Sequence, residues 1–195
     1  MRIRTAFKAG AGLALLAGAA FGAPYLVGEV NEAVIERAMV KGGYVIYLRH
    51  ADRQSGPREP FGAETPLAAF TDCEKQRNLS PAGRGEAVQI GLSFQSFGVP
   101  IGDVYALPLC RTRETAHLAF GRAMLNAQLY DAGFVGHMLA ANPAEGTNTV
   151  LVDTEDQVRR VAGIKLATGE AAIFKPDGKG GFRYKGTLDQ DDLIR

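Results

Sequence analysis

The fold of this chain is decided by residues 42–51, which read GGYVIYLRHA. The run over 44–48 is short, apolar and rich in β-branched and aromatic residues, which predicts a buried strand of a parallel sheet. This strand delivers Arg49 and His50 to its carboxyl end, the edge where open α/β sheets bind ligands. An arginine beside a histidine suits phosphoryl transfer, because the guanidinium binds phosphate oxygens while a neutral imidazole nitrogen attacks phosphorus. The alternative is a pair of residues that simply ends a strand.

Length and composition predict one globular domain with a short extra segment. The chain has 195 residues, of which 46% are hydrophobic, enough for a substantial core. Its 22 basic and 21 acidic residues give a net charge of +1. A balance this even argues against a nucleic-acid-binding surface.

The amino terminus differs in composition from the rest of the chain. Basic residues precede a long uncharged stretch over 9–28 that is dominated by Ala, Gly and Leu. This pattern predicts that residues 1–28 form a signal peptide and that the protein is exported to the periplasm. The alternative is an uncleaved anchor that holds the protein in the inner membrane, facing the periplasm. Residues 29–41 are interpreted as a linker helix, and residues 42–195 as the folded domain.

The chain contains two cysteines, Cys73 and Cys110. In an exported protein such a pair usually closes, so we expect a disulfide between them. The alternative is two buried free thiols, which a core also tolerates.

Further along the chain, strand patterns alternate with helix patterns. Ser80-Pro81 is a typical helix start, and the helix it opens is predicted to reach about residue 97. Short strands are predicted over 103–106 and 148–152, and an antiparallel hairpin over 170–188. A capping box is expected in which Thr154 caps the helix and Gln157 lies three residues on. The predicted fold is therefore an α/β three-layer sandwich, with a mainly parallel sheet flanked by helices and an antiparallel C-terminal hairpin.

Three segments together resemble the histidine phosphatase superfamily, which includes the phosphoglycerate mutase-like enzymes. They read YLRHA over 47–51, NLSPAGR over 78–84 and PLCRTRETA over 108–116. The segment over 169–188 also resembles an exported bacterial branch of that superfamily. Their order and spacing cover most of the chain from residue 42 onward.

The resemblance implies a role for several side chains. His50 is expected to be the nucleophile that becomes phosphohistidine, with Arg49 and Arg111 binding the phosphoryl oxygens. Arg53 would add a further substrate-binding donor, the alternative being a solvated loop arginine. His117 and His137 match no motif position and are interpreted as surface or packing residues.

One position departs from the family pattern. The third strand of these enzymes usually ends in Gly-His, whereas here Asp153-Thr154 follows Val152. Thr154 thus occupies the substrate-site position of that histidine but cannot supply a cationic donor. The alternative is that Thr154 serves as a helix cap while Asp153 points away from the site.

The predicted function is weak phosphomonoester hydrolysis through a phosphohistidine intermediate. The alternative is an inactive pseudophosphatase that binds a phosphate ligand or a protein. The expected partner is a phosphorylated small molecule or a phosphoprotein. The resemblance implies no metal and no organic cofactor, and the sequence does not indicate an oligomeric state.

Overall fold

The computed structural model describes residues 32–57, 59, 61–62, 64–189 and 192. The predicted signal peptide and the first residues of the predicted linker helix lie outside them. The described α-helices are α1 (Glu32–Met39), α2 (Pro81–Ser96), α3 (Cys110–Phe120), α4 (Ala132–Ala140) and α5 (Glu155–Ala162), and short 3₁₀ helices span Leu67–Thr71, Cys73–Lys75 and Ala127–Tyr130. The described strands are β1 (Val45–Arg49), β2 (Ile101–Ala106), β3 (Met124–Leu125), β4 (Asn148–Asp153), β5 (Ala171–Pro176) and β6 (Phe182–Leu188).

The strands form a single mixed sheet in the order β3-β2-β4-β1-β5-β6. The first four of these strands are parallel, whereas β5 runs antiparallel to β1 and forms a hairpin with β6. The predicted fold class is therefore confirmed. Because β1, β2 and β4 all end at one edge, the residues that follow them meet there.

Each face of the sheet carries its own hydrophobic cluster. Ile46 and Leu48 point to the side that packs against α2 and α3, where Ile90 and Phe94 are also buried. Val45 and Tyr47 alternate to the other side, against α4 and α5. This period-two alternation fixes the register of β1, and with it the position of Arg49 and His50. Ile35 and Met39 of α1 are buried in the first cluster.

One predicted strand boundary is wrong, and one short strand was not predicted. β2 begins at Ile101 rather than at residue 103, because Ile101 pairs with Asn148 ahead of an irregularity in the β2–β4 ladder. The sequence also does not predict β3, a two-residue strand that pairs only with the end of β2. So short a strand has no periodicity to recognise. None of the helices within the described ranges has the length and hydrophobicity to cross a bilayer.

Candidate active site

His50 lies at the carboxyl end of β1 with a side chain that is almost completely buried. The residue is 2% exposed, and its Nδ1 lies 2.8 Å from the Ala51 carbonyl oxygen. Burial, together with the positive charges of Arg111, Arg49 and Arg53, lowers the pKa of His50 to about 3. The imidazole is therefore neutral, and because the carbonyl can only accept, Nδ1 carries the proton. Nε2 is left with its lone pair, as a nucleophile requires.

The loop that follows His50 is fixed by the second motif, at the start of α2. The Ser80 hydroxyl accepts the Gly83 amide at 2.9 Å and donates to Asp52 Oδ2 at 2.6 Å, so it caps the helix and holds the loop at once. A Cβ added to Gly83 would lie 1.9 Å from the Asp52 carbonyl oxygen. The motif thus brings α2 into close contact with the backbone two residues after His50.

The third motif fixes Arg111 at the amino end of α3. The Thr112 hydroxyl donates to the carbonyl oxygens of Leu107 and Leu109, which shapes the turn that enters the helix. The Thr115 hydroxyl donates to the Arg111 carbonyl at 2.8 Å and accepts the Ala51 amide at 3.2 Å. Thr115 therefore ties α3 directly to the residue after His50.

Arg111 and Arg49 are each paired with a glutamate. Arg111 Nη1 donates to Glu59 Oε1 at 2.7 Å, and Arg49 Nη1 donates to Glu155 Oε2 at 3.2 Å and to the Leu166 carbonyl. Within the described part of the chain, the Nε atoms of both arginines are buried without a hydrogen-bond partner. A buried unsatisfied donor costs about 1–3 kcal/mol.

Glu59 and Arg77 belong to this site, although sequence reasoning did not find them. Arg77 donates to Glu59 three times, through its amide at 2.8 Å and through Nε and Nη2 at 3.0 and 2.5 Å. Burial alone would raise the pKa of Glu59, but these hydrogen bonds and the charge of Arg111 hold it at about 2. Arg77 directly precedes the second motif, whereas no pattern in the loop marks Glu59.

Arg53 lies in the same region of the site. Its backbone pairs with Leu79, and its Nη1 donates to the Gln54 carbonyl at 3.2 Å. Burial and the nearby charge of Arg77 lower the pKa of Arg53. The side chain is only partly exposed, and its charge acts on His50. His117 and His137 are both exposed on their helices.

Thr154 follows β4, and so stands at the same sheet edge as His50. It occupies the N-cap position of α5, but its side chain makes no capping hydrogen bond, so the predicted capping box is wrong. Asp153 Oδ1 accepts the Thr154 amide at 2.6 Å, while the Tyr47 hydroxyl donates to the Thr154 carbonyl at 2.7 Å. The backbone of this residue is therefore held by its neighbours, and its side chain is not needed as a cap.

The Asp153 carboxyl is buried close to Tyr47, at the end of β4. The residue is completely buried, and its Oδ2 has no hydrogen-bond partner among the described residues. Burial raises the pKa of Asp153 to about 7, although the bond from the Thr154 amide opposes this. Near neutral pH it therefore adds at most part of a negative charge to the site. The carboxylates that pair with the arginines of the site are Glu155, on Arg49, and Glu59, on Arg111.

A disulfide joins Cys73 and Cys110, as predicted. It connects the loop over 51–78 to the residue before Arg111. Next to it, the Gln76 side chain accepts the Cys110 amide at 2.9 Å and donates to the Phe70 carbonyl at 2.9 Å. The loop that carries Glu59 and Arg77 is thus attached to α3 covalently as well as by ion pairs.

The described residues contain no group of three or more His, Cys, Asp or Glu side chains arranged to hold a metal ion. What the arrangement does offer is a neutral imidazole surrounded by guanidinium groups at one sheet edge. Such a site suits an anion, with the imidazole placed to react with it.

Comparison with solved structures finds phosphatases with a similar fold. The protein histidine phosphatase SixA, complexed with tungstate, has a TM-score of 0.54 at 20% identity, covering 77% of this chain and 99% of that one. Phosphoserine phosphatase from Entamoeba histolytica, complexed with 3-phosphoglyceric acid, has a TM-score of 0.54 at 12% identity, with the same coverages. No protein-family model matches the chain, and no curated protein matches it in sequence. Both solved structures are histidine phosphatase superfamily proteins, and this chain shares their fold over 77% of its length.

Proposed function

We propose that this protein is a histidine phosphatase-like enzyme that hydrolyses phosphomonoesters slowly through a phosphohistidine at His50. One observation carries the proposal: a buried neutral imidazole with Nε2 unprotonated lies among the charges of Arg49 and Arg111, whose Nε donors are unsatisfied. The fold shared with phosphohistidine and phosphoserine phosphatases supports it.

The reaction follows from this geometry in two steps. His50 Nε2 forms a bond to phosphorus while the bond from phosphorus to the ester oxygen breaks, and the leaving oxygen takes a proton from water. Water then attacks the phosphohistidine, which releases orthophosphate and restores the imidazole. Arg49 and Arg111 bind the equatorial oxygens, whose charge is spread in a loose transition state.

The rate is expected to be low because Thr154 stands where a cationic imidazole would complete the site. A single preorganised donor to a developing anion is typically worth ~10²–10³ in rate. A threonine hydroxyl carries no positive charge and therefore replaces only part of this effect.

A second candidate is a phosphate-binding or protein-binding module without turnover. The observation that favours it is that Arg49 and Arg111 are each paired with a glutamate of the same chain. This pairing reduces the positive charge available to a transition state. This candidate keeps the anion site and omits the chemistry at His50.

The test is hydrolysis of p-nitrophenyl phosphate by the native protein, by His50→Ala and by Thr154→His. Thr154 is changed alone, because Asp153 is completely buried and accepts the amide of Thr154. We expect slow native hydrolysis that His50→Ala abolishes and that Thr154→His increases by about 10². Acid-labile labelling of His50 by a phosphorylated donor identifies the intermediate. Native hydrolysis that survives His50→Ala would exclude the mechanism, whereas phosphate binding without any labelling favours the binding module.

We also propose that the protein is exported and acts on a phosphorylated small molecule or phosphoprotein outside the cytoplasm. The disulfide supports this, since such bonds persist mainly in oxidising compartments. Cell fractionation with mass spectrometry of the native chain separates a cleaved signal peptide from a retained anchor over residues 9–28. Recovery of the intact chain from the cytosol would overturn the proposal.

A further inference from the structure

Glu59 has an unusual position for a carboxylate in an anion-binding site. Its side chain is only 4% exposed and contacts Arg111, one of the two arginines proposed to bind the phosphoryl group. A carboxylate bonded to Arg111 could be taken to occupy the position of the phosphoryl group. The pattern of donors indicates a different role.

Among the described residues, the guanidinium of Arg111 donates to Glu59 through Nη1 and makes no hydrogen bond through Nε. The Nε atom is buried. A guanidinium binds a phosphate best through two parallel N–H groups, such as Nε and one Nη. The contact with Glu59 fixes the plane of the guanidinium without covering its Nε.

Glu59 is itself held tightly in place. Arg77 binds it through a backbone amide and two side-chain donors, and the disulfide and Gln76 attach the Arg77 segment to α3. The carboxylate therefore acts as a rigid support and cannot follow a ligand. With a pKa of about 2, it is also too acidic to protonate a leaving group at neutral pH.

We propose that Glu59 is a positioning residue, which holds Arg111 through Nη1 so that the Nε of that guanidinium faces the phosphoryl group. The assignment rests on the proposed function, because it takes the phosphoryl site to lie between His50 and Arg111. It identifies the ion-paired series Arg77–Glu59–Arg111 as the part of the site that orients the Arg111 guanidinium.

Two substitutions distinguish positioning from competition. Glu59→Gln keeps an acceptor for Arg111 and removes the negative charge, whereas Glu59→Ala removes both. If Glu59 positions Arg111, inorganic phosphate binds Glu59→Gln within about threefold of the native protein, and Glu59→Ala about 10–100-fold more weakly. If Glu59 competes with the ligand, both variants bind phosphate more tightly. Glu114→Gln is the matched control, because it removes one charge from a partly exposed pair with Arg84.

Calorimetric titration of the full chain with inorganic phosphate measures these constants. Amide hydrogen exchange on the native protein gives a second readout that needs no substitution. The Arg77 amide donates to Glu59, so positioning predicts slower exchange of this amide when phosphate binds. Faster exchange, or tighter binding by Glu59→Ala, would overturn the proposal.

The result also separates this proposal from the one on which it rests. A native protein that binds phosphate as expected, yet never labels His50, leaves the role of Glu59 standing and excludes hydrolysis. Hydrolysis that depends on His50, together with tighter phosphate binding by Glu59→Ala, excludes only the role of Glu59. A native protein that binds no phosphate would overturn both.

Discussion

Two arginine–glutamate pairs lie at the same sheet edge and differ in burial. The Arg111–Glu59 pair is 2.7 Å apart, and both side chains are 4% exposed. The Arg49–Glu155 pair is 3.2 Å apart, with side chains 20% and 25% exposed. Glu59 also has Arg77 as a second partner, whereas Glu155 sits at the first position of a helix. The Arg111–Glu59 pair is therefore the buried and rigid side of the site, and the Arg49–Glu155 pair is the side accessible to water.

The difference in burial indicates that the two ion pairs have different roles. An ion pair away from water cannot be replaced by solvent, so the buried pair sets the geometry of the site. A pair in contact with water exchanges partners at little cost, so Arg49 can turn from Glu155 to a ligand. The proposed site therefore combines a fixed Arg111 with an Arg49 whose ion pair solvent can reach.

The largest expected effect is the loss of stability on removing the glutamate of the buried pair. Glu59→Ala leaves Arg111 and Arg77 without a carboxylate in a buried position and is expected to lower the free energy of unfolding by about 3–5 kcal/mol. Glu155→Ala should lower it by less than about 1 kcal/mol. Urea unfolding of the two variants gives both numbers, and equal losses would show that burial does not distinguish the pairs.

Asp153 sharpens the comparison because it is a buried carboxyl with no cation as its hydrogen-bond partner. Its pKa is raised from 3.8 to about 7, whereas that of Glu59 is lowered to about 2. The folded protein thus keeps the Asp153 proton over a range where the unfolded chain has lost it. The contribution of Asp153 to the free energy of unfolding therefore falls as the pH rises from about 4 to 7. The contribution of Glu59 is present above pH 4.5 and is lost as the pH falls towards 2.

Asp153→Asn removes the ionisable group while keeping an oxygen for the Thr154 amide. The variant should match the native protein near pH 4 and exceed its stability above pH 7 by up to about 4 kcal/mol, the equivalent of three pKa units. Thermal unfolding across this pH range measures the difference. A difference in stability that stays constant with pH would show that folding does not change the pKa of the Asp153 carboxyl.

The disulfide is what attaches the rigid side of the site to α3. Replacing Cys73 and Cys110 by serine reopens a loop with a sequence separation of 37 and is expected to cost about 2–4 kcal/mol. Phosphate affinity should fall in the same variant, because the Glu59 segment is no longer fixed. Unchanged affinity would show that Arg77 and Gln76 hold this segment without the covalent bond.

The sequence predicts much of the candidate site. Strands that are parallel and end at one edge bring together the residues that follow them, so His50 and Thr154 could be placed together from strand patterns alone. Arg111 follows from the third motif. The pairing of Cys73 with Cys110 follows from their number and the expected compartment. Each of these predictions depends on local patterns or counts.

The rigid side could not be predicted, for a physical reason. Glu59 lies in a loop without periodicity, and its partners Arg77 and Arg111 are 18 and 52 residues away in sequence. Only the closed tertiary structure brings them together. The prediction of a capping box was wrong for a similar reason. The Thr154 amide donates to Asp153, and no sequence pattern specifies which side chain accepts a given amide.

The smallest expected effect is the response of the two pairs to salt. In 1 M NaCl the screening length is about 3 Å, which weakens interactions that solvent can reach and leaves buried ones largely intact. Glu155→Ala should therefore cost about 0.3–0.5 kcal/mol at low salt and nothing measurable at 1 M, whereas the cost of Glu59→Ala stays within about a fifth of its value. Urea unfolding at the two salt concentrations provides the measurement, with Glu114→Ala as an exposed reference. If the cost of Glu59→Ala fell as steeply as that of Glu155→Ala, water would reach Arg111, and a site with one fixed and one adaptable arginine could not be maintained.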